Sequence, residues 1–193
     1  MSMAQSTLGG PGLTWDEFLD LPRNDELGRH KAALIDGEVI WVSPPGHLHQ
    51  LILGNVYAAL RRWTDAAPGR GLAMFAPGVR ITDRRGYEAD LGWWPDEQLV
   101  RGERAMPDGP PLLAVEVWSP SNWPSEQLRK ASDYARVGVG ELWGLHPDQE
   151  RITVVRRPVD GTYAELFDLP VGAPLTSDLL EGFEAEPSTF FRW

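Results

Sequence analysis

The 193 residues are 42% hydrophobic, enough for one globular domain with a real core, and carry a formal net charge of −10. There is no cysteine, which excludes a disulfide framework, a thiolate metal site and a cysteine nucleophile. No apolar run approaches membrane-spanning length and no signal-peptide pattern opens the chain, so a soluble cytoplasmic protein with no membrane partner is expected, and its acidity argues against non-specific coating by polyanions.

Residues 1–12 are small, polar and glycine-rich and are expected to be disordered; one domain is expected over 13–193. Thr14-Trp15-Asp16-Glu17 fits a capping box and predicts a short helix ending near Leu21. Ala32–Asp36 and Glu38–Val42 are apolar runs joined at Asp36-Gly37, a hairpin signal. A long helix is predicted from His47 to Thr64, because Leu48, Leu51, Ile52, Val56, Ala59, Leu60 and Trp63 keep helical spacing. Strands follow over Leu72–Phe75 and Val79–Thr82, then a turn at Asp83-Arg84-Arg85-Gly86. Tyr87–Trp94 reads as one strand with Asp90 in its middle, and the Gly- and Pro-rich stretch 101–111 as a loop.

Leu112 begins a short run rich in Val and Leu, interrupted by one charge, Glu116. It reads as a buried strand. A carboxylate there is costly unless something pairs with it or a cation binds it. Ser119-Pro120-Ser121-Asn122 forms a turn, and a helix starts near Ser125 with Glu126 in its first turn. On that helix Gln127, Lys130 or Ala131, and Tyr134 share one face. Lys130 and Lys31 are the only lysines, against sixteen arginines. That bias points to a role suited to a compact ammonium; the competing reading is a surface pair with Glu126 at i, i+4. Strands are then predicted over Glu141–Leu145, Ile152–Arg156 and Tyr163–Leu169, with turns at His146-Pro147-Asp148 and Asp160-Gly161. Phe183 and Phe190-Phe191 are expected to pack the tail back on the body.

A phosphate loop, a Gly-x-Ser-x-Gly elbow, a His-Glu-x-x-His helix and a dinucleotide fingerprint are all absent. What remains is Asp90, Glu116 and Lys130. Two carboxylates brought together repel unless a cation sits between them. A hard cation takes oxygen ligands and keeps several waters, while an ammonium stabilises developing charge, a toolkit suited to phosphodiester hydrolysis. The structural alternative pairs the two acids with arginines. His49 reads first as a residue that caps or solvates the long helix, and Glu38 as a hairpin residue. The tryptophans read mainly as core, with stacking on bases the alternative for Trp93, Trp94, Trp118 and Trp123.

The chain from about residue 13 resembles the Uma-two family of "putative restriction endonucleases", which have the PD-(D/E)xK nuclease fold. The matching pieces are Leu34-Ile35-Asp36-Gly37-Glu38, His49-Gln50, Asp90, Val115-Glu116-Val117 with Ser119-Pro120-Ser121, Lys130, Tyr134, Gly138-Val139 and Glu141-Leu142-Trp143. The resemblance implies an α/β restriction-endonuclease-like core: a central mixed β-sheet flanked by helices, with an N-terminal β-hairpin. It implies Mg²⁺ or Mn²⁺ at Asp90 and Glu116, Lys130 as catalytic lysine, and Glu38, His49, Gln127 and Tyr134 as candidate supporting residues. DNA is the implied substrate and a homodimer the implied assembly. In the wider superfamily the lysine lies two residues after the glutamate. Here that position is Trp118 and the role moves to the helix. Ala89 replaces the usual proline before the aspartate, Ala32-Ala33-Leu34 lacks an acidic residue of the family pattern, and His146 stands where an aspartate often closes the strand. The second hypothesis is a catalytically silent protein that keeps this fold as a binding or assembly module.

Overall fold

The computed structural model describes residues 12–21, 31–42, 44–100, 102, 106–118, 124–170 and 172–192. The N-terminal segment before Gly12, the Ser119–Asn122 turn and Trp123 lie outside them. In chain order the elements begin with α1 (Trp15–Leu19), β1 (Lys31–Ile35), β2 (Glu38–Val42) and α2 (His47–Asp65). Next come β3 (Leu72–Phe75), β4 (Gly78–Thr82), β5 (Arg85–Glu88), β6 (Leu91–Trp94) and β7 (Leu113–Val117). Then follow α3 (Pro124–Val137), β8 (Glu141–His146), β9 (Arg151–Val159), β10 (Thr162–Asp168), β11 (Leu175–Thr176) and β12 (Glu184–Ala185).

The chain divides into two compact units, Met1–Pro45 with Gly78–Glu88, and Gly46–Pro77 with Ala89–Trp193. In the first, an antiparallel sheet runs in the order β2-β1-β5-β4. The β1–β2 hairpin turns through Asp36 (φ 53°) and Gly37 (φ 85°), the two positive φ values that match the strands' right-handed twist. Helix α1 starts where the sequence predicts. Thr14 N–H donates to Glu17 Oε2 at 2.8 Å and Glu17 N–H to Thr14 Oγ1 at 3.3 Å. Trp15, Phe18, Ala32, Leu34 and Val39 form this unit's core.

The second unit is built on a six-stranded mixed sheet, β10-β9-β8-β7-β6-β3. Strands β7 and β8 are parallel and the other pairs antiparallel. The parallel pair is connected through α3, the helical crossover that parallel strands require. Leu113, Val115 and Val117 of β7 join Ile52, Val56 and Leu60 of α2, with Phe183, Phe190 and Phe191 of the tail, in one apolar core. The tail is fixed to α2 by hydrogen bonds as well: Asn55 Nδ2 donates to the carbonyls of Phe190 and Arg192, each at 3.1 Å, and Trp63 Nε1 to that of Glu181 at 3.0 Å. Strand alternation places Glu116 on the opposite face of β7 from Val115 and Val117, where α3 brings Tyr134. Among the described residues, no helix is long and apolar enough to cross a membrane.

One predicted strand divides. Tyr87–Trp94 is the end of β5 and the whole of β6, which belong to different sheets. The break falls at Ala89-Asp90 because the chain changes sheets there, and continuous burial from Gly86 to Trp94 conceals it in the sequence. Arg85 and Gly86, expected in a turn, already belong to β5. The short pair β11–β12 had no periodic signal to reveal it.

Candidate active site

Asp90 is the last residue before β6. Leu91 of β6 pairs with Val115 of β7, so the same register continued by one residue sets Asp90 across from Glu116. Strand β6 has no N-terminal extension there, and the backbone N–H of Val117 would lose its acceptor. The Asp90 side chain supplies one: Oδ2 accepts Val117 N–H at 2.8 Å. Its other oxygen, Oδ1, is 3.2 Å from His49 Nε2 in the first turn of α2. The carboxylate is thus anchored to the end of β7 and to α2 at once, and Asp90 is 7% exposed.

Glu116 is more deeply buried, at 2% exposure. Its Oε1 accepts the Tyr134 hydroxyl at 2.7 Å and meets the Lys130 ammonium at 2.7 Å. Lys130 and Tyr134 are four apart on α3, so they rise from one face of the helix toward one oxygen. The ammonium also lies 5.7 Å from the centre of the Trp118 ring and 5.8 Å from that of Tyr134, within reach of the attraction between a cation and an aromatic face. The lysine from the helix therefore stands over Trp118, the residue two after Glu116.

Three residues singled out in the sequence accordingly meet the two acids: His49 at Asp90, and Lys130 with Tyr134 at Glu116. His49 provides no side-chain cap to its helix, so the capping role expected of it gives way to contact with Asp90. Gln127 is half-buried one turn before Lys130 and, among the described residues, makes no hydrogen bond to either acid. Glu38 is exposed in β2 of the first unit and pairs across the hairpin with Ile35. Trp93, Trp94 and Trp118 are buried, at 4%, 2% and 8% exposure, which favours packing over base stacking. Sequence reasoning missed Val117, whose N–H fixes Asp90, and Gly144, the parallel-strand partner of Glu116. A glycine inside the apolar run Glu141–Leu145 was a readable sign of close approach at that point.

The arrangement offers oxygen donors from two acids, with an ammonium and an imidazole beside them. Among the described residues no group of three or more His, Cys, Asp or Glu is gathered to hold a metal. A Mg²⁺ site needs less: one or two carboxylates, with waters and substrate phosphate completing the shell. By chemistry the two carboxylates are the hard oxygen donors such a site takes; their side-chain contacts run to different helices, α2 for Asp90 and α3 for Glu116.

A family model described as "Putative restriction endonuclease", Uma2, matches residues 15–188. The chain belongs to the Uma2 family. A structure with the same fold is the crystal structure of "a putative nuclease belonging to DUF820" from Anabaena variabilis ATCC 29413, with a TM-score of 0.75 and 18% identity. The match covers 93% of this chain and 97% of that one. No curated protein matches. The expected nuclease-type fold, a mixed sheet flanked by helices, is therefore the fold of this Uma2 protein.

Proposed function

We propose that this Uma2 protein is a divalent-metal-dependent endonuclease that hydrolyses DNA phosphodiester bonds. The observation that carries the reading is the meeting of Lys130, Tyr134 and Glu116 one strand away from Asp90. Asp90 and Glu116 would hold Mg²⁺ or Mn²⁺, which when bound supplies Lewis acidity and an acidified water. Val117 N–H and His49 keep Asp90 oriented, so its geometry is set before substrate arrives. Tyr134 O–H fixes Glu116 by its Oε1. Lys130 is the chain's own positive charge at the site, suited to stabilise negative charge that develops on a phosphate oxygen. The Trp118 and Tyr134 rings beside it and its slight exposure, 12% for the side chain, strengthen that interaction over one in open water. DNA must approach a protein of net charge −10, so binding is expected to be strongest at low salt. A homodimer and a cytoplasmic setting belong to the same reading.

A second reading has its own support. Both acids already have protein partners, His49 and Val117 N–H for Asp90, Lys130 and Tyr134 for Glu116. A fold kept as a silent binding or assembly module would retain such a network for structure alone. Calorimetric titration with Mg²⁺ and Mn²⁺, alongside cleavage of supercoiled plasmid at low salt, separates the two. The endonuclease reading expects metal binding that is lost in Asp90→Asn and cleavage that needs metal. Absence of both in the wild type leaves the silent module.

A further inference from the structure

Trp118 occupies the position two residues after Glu116, and its indole lies directly over Gly144. A Cβ built on Gly144 would stand 2.4 Å from Trp118 Nε1 and 3.0 Å from Cδ1. No side chain is that close to its neighbours in a relaxed structure, so any residue larger than glycine would force the indole away. Gly144 is also the residue that pairs with Glu116 between the parallel strands. The missing side chain at one residue and the large ring at the other are therefore complementary, and they are complementary beside the acid that receives Lys130. The backbone holds the ring's base firmly: Trp118 N–H donates to the Leu145 carbonyl at 2.8 Å. The ring is 8% exposed and presents its face to the Lys130 ammonium at 5.7 Å.

We propose that Trp118 and Gly144 form a matched seat that positions the Lys130 ammonium at Glu116 Oε1. Lys130 reaches Glu116 from a different element, on a long side chain with several rotatable bonds. Left alone, such an ammonium samples many positions. Two constraints narrow them. Tyr134 and Glu116 define where the charge is neutralised, and the indole face closes the side from which it would swing away. The attraction of a cation to an aromatic face adds to that closure. Trp118 does not contact a reacting atom in this scheme; it acts through Lys130 and is a positioning residue. The inference deepens the endonuclease reading, but the seat exists whether or not DNA is cut, and its test is arranged accordingly.

The test uses the full chain with isotope-labelled lysine. With only Lys31 and Lys130 present, Lys130→Arg assigns the Lys130 signal, and the urea-unfolded chain gives its reference value. Ring current from Trp118 is expected to displace the folded-state Lys130 ε-methylene signal upfield of that value. Trp118→Leu should move it back toward the unfolded value, while Trp118→Phe should retain a displaced signal. Gly144→Ala should resemble Trp118→Leu, because the added methyl expels the ring. In the Trp118→Leu background the same Gly144→Ala change should do nothing further to the spectrum or the melting temperature. That non-additivity is the signature of a matched pair, and it is readable even if Gly144→Ala alone folds poorly. Where plasmid cleavage with Mn²⁺ is measured, Trp118→Leu should lower kcat about ten-fold with KM unchanged. A Lys130 signal unmoved by Trp118→Leu overturns the proposal, as does a Gly144→Ala effect of equal size in both backgrounds. Loss of cleavage in wild type with the spectral changes intact overturns only the endonuclease reading.

Discussion

Asp90 Oδ2 accepts the backbone N–H of Val117 at 2.8 Å. One carboxylate oxygen thus serves the sheet, taking the place of a ladder partner that β6 does not supply, while the other faces His49. The structural duty of this residue and the metal-binding duty proposed for it should therefore separate by substitution. Asp90→Asn keeps an oxygen for Val117 and should cost less than about 1 kcal/mol. Asp90→Ala leaves a buried N–H without an acceptor and should cost about 1–3 kcal/mol, a fall in melting temperature of several degrees at this chain length. Both should abolish metal-dependent cleavage, because neither retains the charge. Denaturant midpoints for the two variants decide it: equal destabilisation would mean that Asp90 stabilises by charge rather than by accepting the Val117 N–H.

Lys130 and Glu116 form a pair at 2.7 Å with side chains 12% and 3% exposed. Removing one member of a buried pair strands the other, a loss on the order of 3 kcal/mol. Lys130→Met should approach that figure, softened by the Tyr134 hydroxyl that still meets Glu116. The double change Lys130→Met with Glu116→Gln should recover most of the stability, since no buried charge then remains. Catalysis should follow a different course. Lys130→Met alone is expected to reduce cleavage by about 10²–10³, and the double variant should be inactive in spite of its recovered fold. A double-mutant cycle on stability, with rates measured on the same samples, checks both halves. If the double variant is no more stable than Lys130→Met, the ion pair is not the reason Lys130 is buried.

Much of this arrangement was legible in the sequence, and the reasons differ from residue to residue. Glu116 stood out because a single charge inside an apolar strand is costly, and its partners had to be sought on the next element, where Lys130 and Tyr134 lie one turn apart. The Thr14–Glu17 capping box and the Asp36-Gly37 turn were readable because their signals are local. Asp90 was singled out as a candidate, but its setting was not legible. Periodicity reports burial, and burial continues unbroken from β5 into β6 although the chain changes sheets at Ala89-Asp90. His49 was assigned to its own helix because a sequence shows neighbours along the chain and not across it. The Trp118–Gly144 pair was hidden for the same reason: the two residues meet only through the parallel pairing of β7 with β8.

Away from the site, Glu141 provides a pH prediction. It opens β8 and is 1% exposed. Its Oε1 accepts Trp143 Nε1 at 2.6 Å and its Oε2 accepts Ser177 Oγ at 2.8 Å. Burial raises its pKa above the usual 4.5, against the opposing pull of those two hydrogen bonds and of the nearby Arg156, and Asp178 adds to the rise. The sign follows from proton linkage. With the folded value above the unfolded one, the folded state binds its proton more tightly, so this group's contribution to stability is complete below pH 4.5. It falls as pH rises from there to the raised folded value, because the unfolded chain ionises first, and is constant beyond. Glu141→Gln removes the titration. Its amide oxygen still accepts from Trp143, and its amide nitrogen donates to Ser177, whose hydroxyl can accept as readily as donate. The variant should therefore be at least as stable as wild type near pH 7, and its melting temperature should decline less between pH 4.5 and neutrality. Parallel pH series of thermal unfolding measure this directly. A Glu141→Gln protein that melts several degrees below wild type at pH 7, with an unaltered pH profile, would mean that the ionised carboxylate is needed where it lies and that Arg156 outweighs burial.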